Sequence, residues 1–316
     1  MKLGTRSMKH SFKESAPCSM LHDSFMTIEQ IRRSGVVQLR KAGIESPALD
    51  ADVLIAHALG ISKETLYTHD EKRVPAAKLQ RIRRFFGRRV KREPVAYILG
   101  EKEFYGLRFR VNRSVLIPRP ETEIIVSAAR ELCVRGECHI VDVGTGSGAL
   151  AVTLAKLLPR ARVTATDISQ KALACAKRNA KRLGVARRVS FLHGNLLTPI
   201  RNAKLLATNG RLIITANLPY LATVAWKKTQ PEIRCYEPRL ALDGGPDGIR
   251  LLRKLFTQLA KLREPWMLFA EIDPREYRPL RAAALRLFPA AKVSAAKDLA
   301  GDNRVLVISL GTSWGN

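Results

Sequence analysis

The chain has 316 residues, 46% of them hydrophobic, which is enough for two domains or one large one with a proper core. Lys and Arg number 55 against 28 Asp and Glu, a formal charge of +27. Such a balance speaks against a small neutral metabolite as the only partner and for a polyanion or an acidic protein, although a generally basic surface would give the same count. Five cysteines with no C-x-x-C pair argue against a disulfide framework or zinc site, six histidines show no ligand spacing, and no run of ~18 apolar residues could span a membrane. No metal is expected, Cys133, Cys138 and His139 read as packing residues, and a reducing cytoplasm fits.

Residues 1–25 are polar and lack an apolar core, so they read as a flexible tail rather than a secretory signal. Thr27-x-x-Gln30 has the form of a capping box opening a helix that ends near Gly43. Ser46-Pro47 starts a second helix, with Leu49, Val53, Leu54 and Ala58 as its buried face and Gly60 as its stop. Ser62 opens a short third helix. A fourth, from Pro75 to about Arg92, sets Leu79, Ile82, Phe85, Phe86 and Val90 among eight basic residues, Arg89 included. It could face nucleic acid or a ribosome, or simply water. Residues 26–93 thus form a small all-α domain.

Tyr97 to Val111 alternates like a hairpin, and residues 94–115 read as a β-hairpin linker. Leu116-Ile117-Pro118-Arg119-Pro120-Glu121-Thr122-Glu123 then leads into a helix running to about Arg135. From His139 onward strands alternate with helices: strands near 139–143, 162–166, 189–192, 211–216 and 267–272, then a final pair near 291–295 and 303–309. That alternation predicts an α/β domain over residues 116–316, with a parallel sheet covered on both faces.

Ile140-Val141-Asp142-Val143 enters the turn Gly144-Thr145-Gly146-Ser147-Gly148, and a helix follows at once. Glycines there let the backbone pass close to a ligand, and the helix start adds N–H anchors. Asp167, 23 residues after Gly144, ends the next strand and is placed to accept from two ribose hydroxyls. Gly194-Asn195 ends the third strand, where a side-chain amide could meet an adenine edge. The glycine pattern alone also fits a dinucleotide. Asn217-Leu218-Pro219-Tyr220 after the fourth apolar strand shifts the choice to S-adenosylmethionine, because an amide-gripping motif has no place in hydride transfer.

The chemistry of that motif follows from its residue types. An amide nitrogen is a poor nucleophile, so it needs to be held in line with a reactive methyl group. The Asn217 side-chain oxygen and the Leu218 carbonyl can each accept one amide hydrogen, Pro219 fixes the turn, and Tyr220 can stack on the planar group.

These residues resemble the HemK/PrmC family, the release-factor glutamine N5-methyltransferases, over nearly the whole chain from about Met26 to Leu310. The linker octet Leu116–Glu123, the turn Gly144–Gly148, Asp167-Ile168-Ser169 with Ala172-Leu173, and Glu237-Pro238 with Ala241-Leu242 and Gly244-Gly245-x-Asp247-Gly248 carry the likeness. The resemblance implies a Rossmann-like class I methyltransferase fold, a mostly parallel seven-stranded sheet whose last strand is antiparallel. It implies that the helical domain docks a protein substrate. It also implies S-adenosyl-L-methionine as cofactor and the glutamine of a Gly-Gly-Gln loop in a peptide chain release factor as methyl acceptor. Catalytic roles fall to Asn217 and Tyr220, cofactor contacts to Gly144–Gly148, Asp167, Asn195, Leu196 and Asn217, and substrate contacts to Asn217–Tyr220 with Arg119 and Glu121, which could instead pair with each other. The expected enzyme is a cytoplasmic monomer of translation termination, with possible ribosome or RNA contact through its basic surface. Leu218 stands where the family usually has proline, Asn195 where it commonly has aspartate, and about six extra residues lie between Leu196 and Asn217. Asn-Leu-Pro-Tyr is the form seen in rRNA adenine N6-dimethyltransferases, so an RNA adenine N6-methyltransferase is the alternative enzyme. An RNA-binding protein with a decayed site is the non-enzymatic one.

Overall fold

The computed structural model describes residues 26–133, 137–200 and 211–311. The predicted tail, the last residues of the helix expected to reach Arg135, and the insertion expected before Asn217 fall wholly or partly outside them. The chain forms two compact units, one up to Val90 and one from Lys91 onward.

Among the described residues the first unit holds four helices: α1 (Ile28–Lys41), α2 (Pro47–Leu59), α3 (Lys63–Thr68) and α4 (Ala76–Val90). The capping box of α1 is formed, with Gln30 N–H donating to Thr27 Oγ1 at 3.3 Å and Thr27 N–H to Gln30 Oε1 at 3.0 Å. Gly35 admits the ring of Phe86, since a Cβ there would lie 2.4 Å from it. The buried face of α2 departs from the apolar reading. Leu49 is 53% exposed, whereas Asp50 and Asp52 point inward. Arg89 reaches Asp50 and Arg32 reaches Asp52, each at 2.7 Å. Two carboxylates can be buried there because each has its own guanidinium. Arg89, counted in the sequence with a basic outer face, is an interior residue.

The second unit opens with α5 (Val95–Leu99), so residues 97–99 are helical rather than strand; Gly100 ends the turn at φ +75°. The hairpin is β1 (Glu101–Phe104) and β2 (Leu107–Arg110). Expected as a linker, it sends Phe104 and Phe109 into the core of this unit beside Ile125, Val126 and Leu154. Next come α6 (Glu123–Cys133), β3 (Cys138–Val143), α7 (Ala149–Leu157), β4 (Arg162–Asp167), α8 (Gln170–Arg182), β5 (Val189–His193) and β6 (Arg211–Ala216). A short pair, β7 (Leu221–Ala222) and β8 (Asp243–Gly245), encloses α9 (Thr223–Lys227) and α10 (Pro231–Tyr236). The chain closes with α11 (Arg250–Leu259), β9 (Trp266–Glu271), α12 (Tyr277–Leu287), β10 (Lys292–Lys297) and β11 (Asn303–Leu310).

The main sheet runs β10-β11-β9-β6-β3-β4-β5, with β11 antiparallel to both neighbours and the remaining pairs parallel. This is the expected class I methyltransferase arrangement. Every residue of β3 and β9 is buried, as befits central strands covered by helices on both faces. From β3 the chain goes one way to β4 and β5, then returns to β6 on the other side. The carboxyl ends of β3 and β6 therefore border the crevice where the strand order reverses, the place such sheets bind ligands.

Cys133 and Cys138 are both buried in the hydrophobic core of this unit, as the packing reading expects, with Cα atoms 5.9 Å apart and their sulfurs side by side.

Candidate active site

A cavity of about 450 Å³ opens at that switch point. Gly144, Thr145, Gly146 and Ser147 form its floor, Asp142 and Asp167 flank them, and Gly194, Asn195 and Leu196 line one side. Asn217, Leu218, Pro219 and Thr122 line it as well. Gly148 is not among the lining residues; it is the N-cap of α7 at φ +83°, where a Cβ would press on Ala176 at 3.0 Å. Leu196 takes a left-handed φ of 55°, unusual for a residue with a side chain.

Asp167 organises the glycine turn. Its Oδ2 accepts from Gly146 N–H at 2.9 Å and its Oδ1 from Ser169 N–H at 2.8 Å. Ser169, rather than Asp167, caps α8. One lone pair remains on each Asp167 oxygen for a ligand hydroxyl. Burial pushes its carboxyl above the usual range. Asp142 is buried completely enough to be pushed up to about 6, chiefly by desolvation. Thr215 Oγ1 donates to Asp142 Oδ1 at 3.0 Å, and the Thr145 hydroxyl beside the carboxyl opposes the upward push of burial. The remaining Asp167 lone pairs match ribose hydroxyls, and the Gly144–Gly146 backbone beside them leaves room for a close ligand, so the residues present fit S-adenosylmethionine.

Asn217 lies just past β6. Its Nδ2 donates to Thr122 Oγ1 at 2.8 Å, and Thr122 Oγ1 donates to Glu271 Oε2 at 2.5 Å. Tyr220 Oη donates to the other Glu271 oxygen at 3.2 Å. Burial raises the Glu271 carboxyl, and these two hydroxyls pull it back down. Burial, with Glu271 beside it, raises the Tyr220 phenol, which stays a neutral donor. Tyr220 is not among the cavity-lining residues. The Leu218 side chain is 4% exposed and packs on the glycine turn, where a Cβ on Gly144 would come within 2.9 Å of its Cδ2.

The motif loop is braced from behind. Leu221 and Ala222 pair with Asp243 and Gly245, and Leu221 N–H donates to Leu242 O at 3.0 Å. Gly244 and Gly248 allow the approach, because a Cβ on Gly244 would lie 2.6 Å from Pro219 O and one on Gly248 2.4 Å from Tyr220 O. The same Gly248 position faces Glu276, whose carboxyl is pushed up to about 7, chiefly by burial. A carboxyl raised on folding stabilises below its unfolded pKa and loses that contribution as pH rises through its folded one. Unfolding free energy is therefore expected to fall between pH ~4 and ~7 through Asp142 and Glu276. Denaturant titrations at constant ionic strength should show Glu276→Gln flattening that slope.

Arg119 and Glu121 are not cavity-lining residues. Arg119 Nη2 donates to Glu237 Oε1 at 2.5 Å, and Ile117 N–H donates to Glu237 Oε2 at 3.1 Å. The partner of Arg119 is thus Glu237, not Glu121, which is exposed. Thr122, Asp142, Glu237 and Glu271 carry site geometry without having been expected as site residues. Thr122, Asp142 and Glu237 sit in runs already notable, but nothing local marks their partners.

Residues 30–100 match the family model described as the PrmC N-terminal domain, and residues 140–234 one described as a methyltransferase domain. A release factor glutamine methyltransferase of Moorella thermoacetica is 42% identical over 246 residues, 78% of this chain and 84% of that relative. The chain belongs to the release factor glutamine methyltransferase family. The proteins of that name from Caulobacter vibrioides and Geobacter sulfurreducens are 33% and 39% identical, over 85% and 73% of this chain and 92% and 78% of theirs. Membership makes the chain an S-adenosylmethionine-dependent methyltransferase. A solved ribosomal protein L11 methylase from Lactobacillus delbrueckii subsp. bulgaricus is 22% identical, covers 60% of this chain and 78% of its own, and has a TM-score of 0.40, too low to bear on substrate. Among the described residues no cluster could hold a metal, and no helix is long and apolar enough to cross a membrane.

Proposed function

We propose that this enzyme transfers a methyl group from S-adenosylmethionine to the side-chain amide nitrogen of the glutamine in the Gly-Gly-Gln motif of a peptide chain release factor. The observation that carries this reading is the Asn217 amide. Its NH2 is held by Thr122, which leaves Oδ1 without a partner among the described residues, on a residue that lines the cavity. An acceptor so placed takes one hydrogen of a substrate amide, and the Leu218 carbonyl takes the other. Both oxygens then favour the positive charge that develops on nitrogen. Tyr220, outside the cavity lining, braces the end of the motif through Glu271, and Pro219 keeps the turn rigid. When bound, S-adenosylmethionine supplies an electrophilic methyl on sulfur, so this chain has to orient the acceptor and exclude water rather than supply a strong base. Gly144–Ser147, Asp142, Asp167, Asn195 and Leu196 are the residues that would hold the cofactor. Asp167→Ala is expected to weaken cofactor binding at least ~30-fold, because it removes the ribose acceptor and frees the Gly146 turn together; titration calorimetry measures it.

The helical residues 26–93 are the proposed dock for the release factor, 94–115 the connection and 116–316 the catalytic domain. Arg119 acts on substrate through the octet backbone that Glu237 anchors, with Glu121 at the rim. The charge of +27 suits an acidic release factor and contact with ribosomal RNA. We place the enzyme in the cytoplasm as a monomer serving translation termination. Leu218 gives little weight to an RNA adenine substrate, since its side chain is spent on packing against Gly144. Radiolabelled cofactor offered with release factor or with rRNA decides between them. Label in the factor's glutamine is expected, and label in RNA alone would overturn the reading.

A further inference from the structure

We propose that Thr122, braced by Glu271, is a positioning residue that sets which way the Asn217 amide faces. The inference rests on the methyl-transfer reading above for its meaning, though not for its geometry. Thr122 is 4% exposed and Glu271 1% exposed, so water does not compete for their hydrogen bonds. A threonine hydroxyl has one proton. Here it goes to Glu271 Oε2, and Oγ1 keeps only lone pairs for its other neighbour. An amide oxygen turned toward those lone pairs would be repelled, so Asn217 meets Thr122 with its NH2. The oxygen is thereby committed to the opposite face of the amide, the one a substrate NH2 needs. An asparagine free to flip would offer donors to a donor half of the time.

Backbone architecture supports the assignment. Thr122 ends the short turn Pro120–Thr122 that leads into α6, and Glu271 ends β9, two strands from β3. Glu271 also accepts from Tyr220, so one buried carboxylate ties down both ends of the Asn217–Tyr220 motif. Buried networks of this kind fix a single arrangement when every member is satisfied.

Two measurements test the inference. In substrate-free enzyme labelled with 15N, the Asn217 side-chain NH2 signal, assigned by its loss in Asn217→Asp, should exchange slowly with solvent in the wild type and quickly in Thr122→Val. In methyl-transfer assays, Thr122→Val should lower kcat about tenfold, the worth of one net hydrogen bond, with cofactor KM unchanged. Thr122→Ser, which keeps the hydroxyl, should return kcat to within about threefold of wild type. A wild-type Asn217 NH2 that exchanges as freely as an exposed asparagine overturns the proposal whatever the variants do. Equal kcat in Thr122→Val and wild type, or no rescue by Thr122→Ser, overturns it too. Wild-type enzyme that methylates no release factor would instead refute the function, and the exchange measurement would still judge the positioning.

Discussion

Asn217→Ala should lower kcat for release-factor methylation by roughly 10²–10³-fold, the scale expected when one preorganised polar group is removed from a transition state. The side chain carries the only amide on the motif, and its Oδ1 has no competing protein partner. The methyl acceptor then loses one of its two hydrogen-bond anchors at the moment its lone pair must be aimed at the methyl carbon. The cofactor contacts of Gly144–Ser147 and Asp167 stay in place, so cofactor affinity should change by no more than about threefold. Stopped-time methyl transfer with saturating cofactor, paired with calorimetric titration, separates the two. A kcat close to wild type would remove Asn217 from the reaction and with it the proposed orientation of the amide.

Gly244→Ala is expected to have the largest effect on both stability and activity among substitutions outside the cavity. An added Cβ would lie 2.1 Å from Gly248 O and 2.6 Å from Pro219 O. Both neighbours are backbone, so no side chain can swing aside. Either the segment carrying Pro219 moves, which displaces Asn217 and Tyr220, or β8 detaches from β7. Overpacking of this kind costs about 3 kcal/mol. For a unit of this size that corresponds to roughly 6–12 °C in Tm. Activity should fall further than stability alone explains, because a shift of ~1 Å at the motif is enough to misalign the acceptor. Gly87→Ala is the control. It sits within α4 with nothing near its would-be Cβ, and it should leave Tm equal or slightly higher. Thermal unfolding and kcat measured on both variants check the pair; an unchanged Tm for Gly244→Ala would mean the loop is far softer than its contacts imply.

Much of this protein was legible before any coordinates. The capping box of α1, the Pro47 start and Gly60 stop of α2, and each main-sheet strand are local signals, written within a few residues of where they act. The glycine turn after β3 and the Asn217–Tyr220 motif after β6 could be assigned to one crevice because parallel strands present their carboxyl ends on one edge. The readings that failed share a different cause. Leu49 looked buried by its spacing, yet α2 turns Asp50 and Asp52 inward because Arg89 and Arg32 come from other helices to meet them. The core contacts of the hairpin were not legible either, because alternation shows that strands form, not what their apolar faces will cover.

The sequence by itself therefore determined the elements, the family likeness and the residue types at the crevice, since periodicity, capping and turn chemistry act over a turn or two of chain. Only the tertiary structure decided who holds whom. Asn217 finds Thr122 95 residues away, Thr122 finds Glu271 at 149 and Arg119 finds Glu237 at 118. Such partners are chosen by strand order and by the scarcity of water at the sheet edge, where each buried polar atom has to take whatever donor or acceptor the fold delivers.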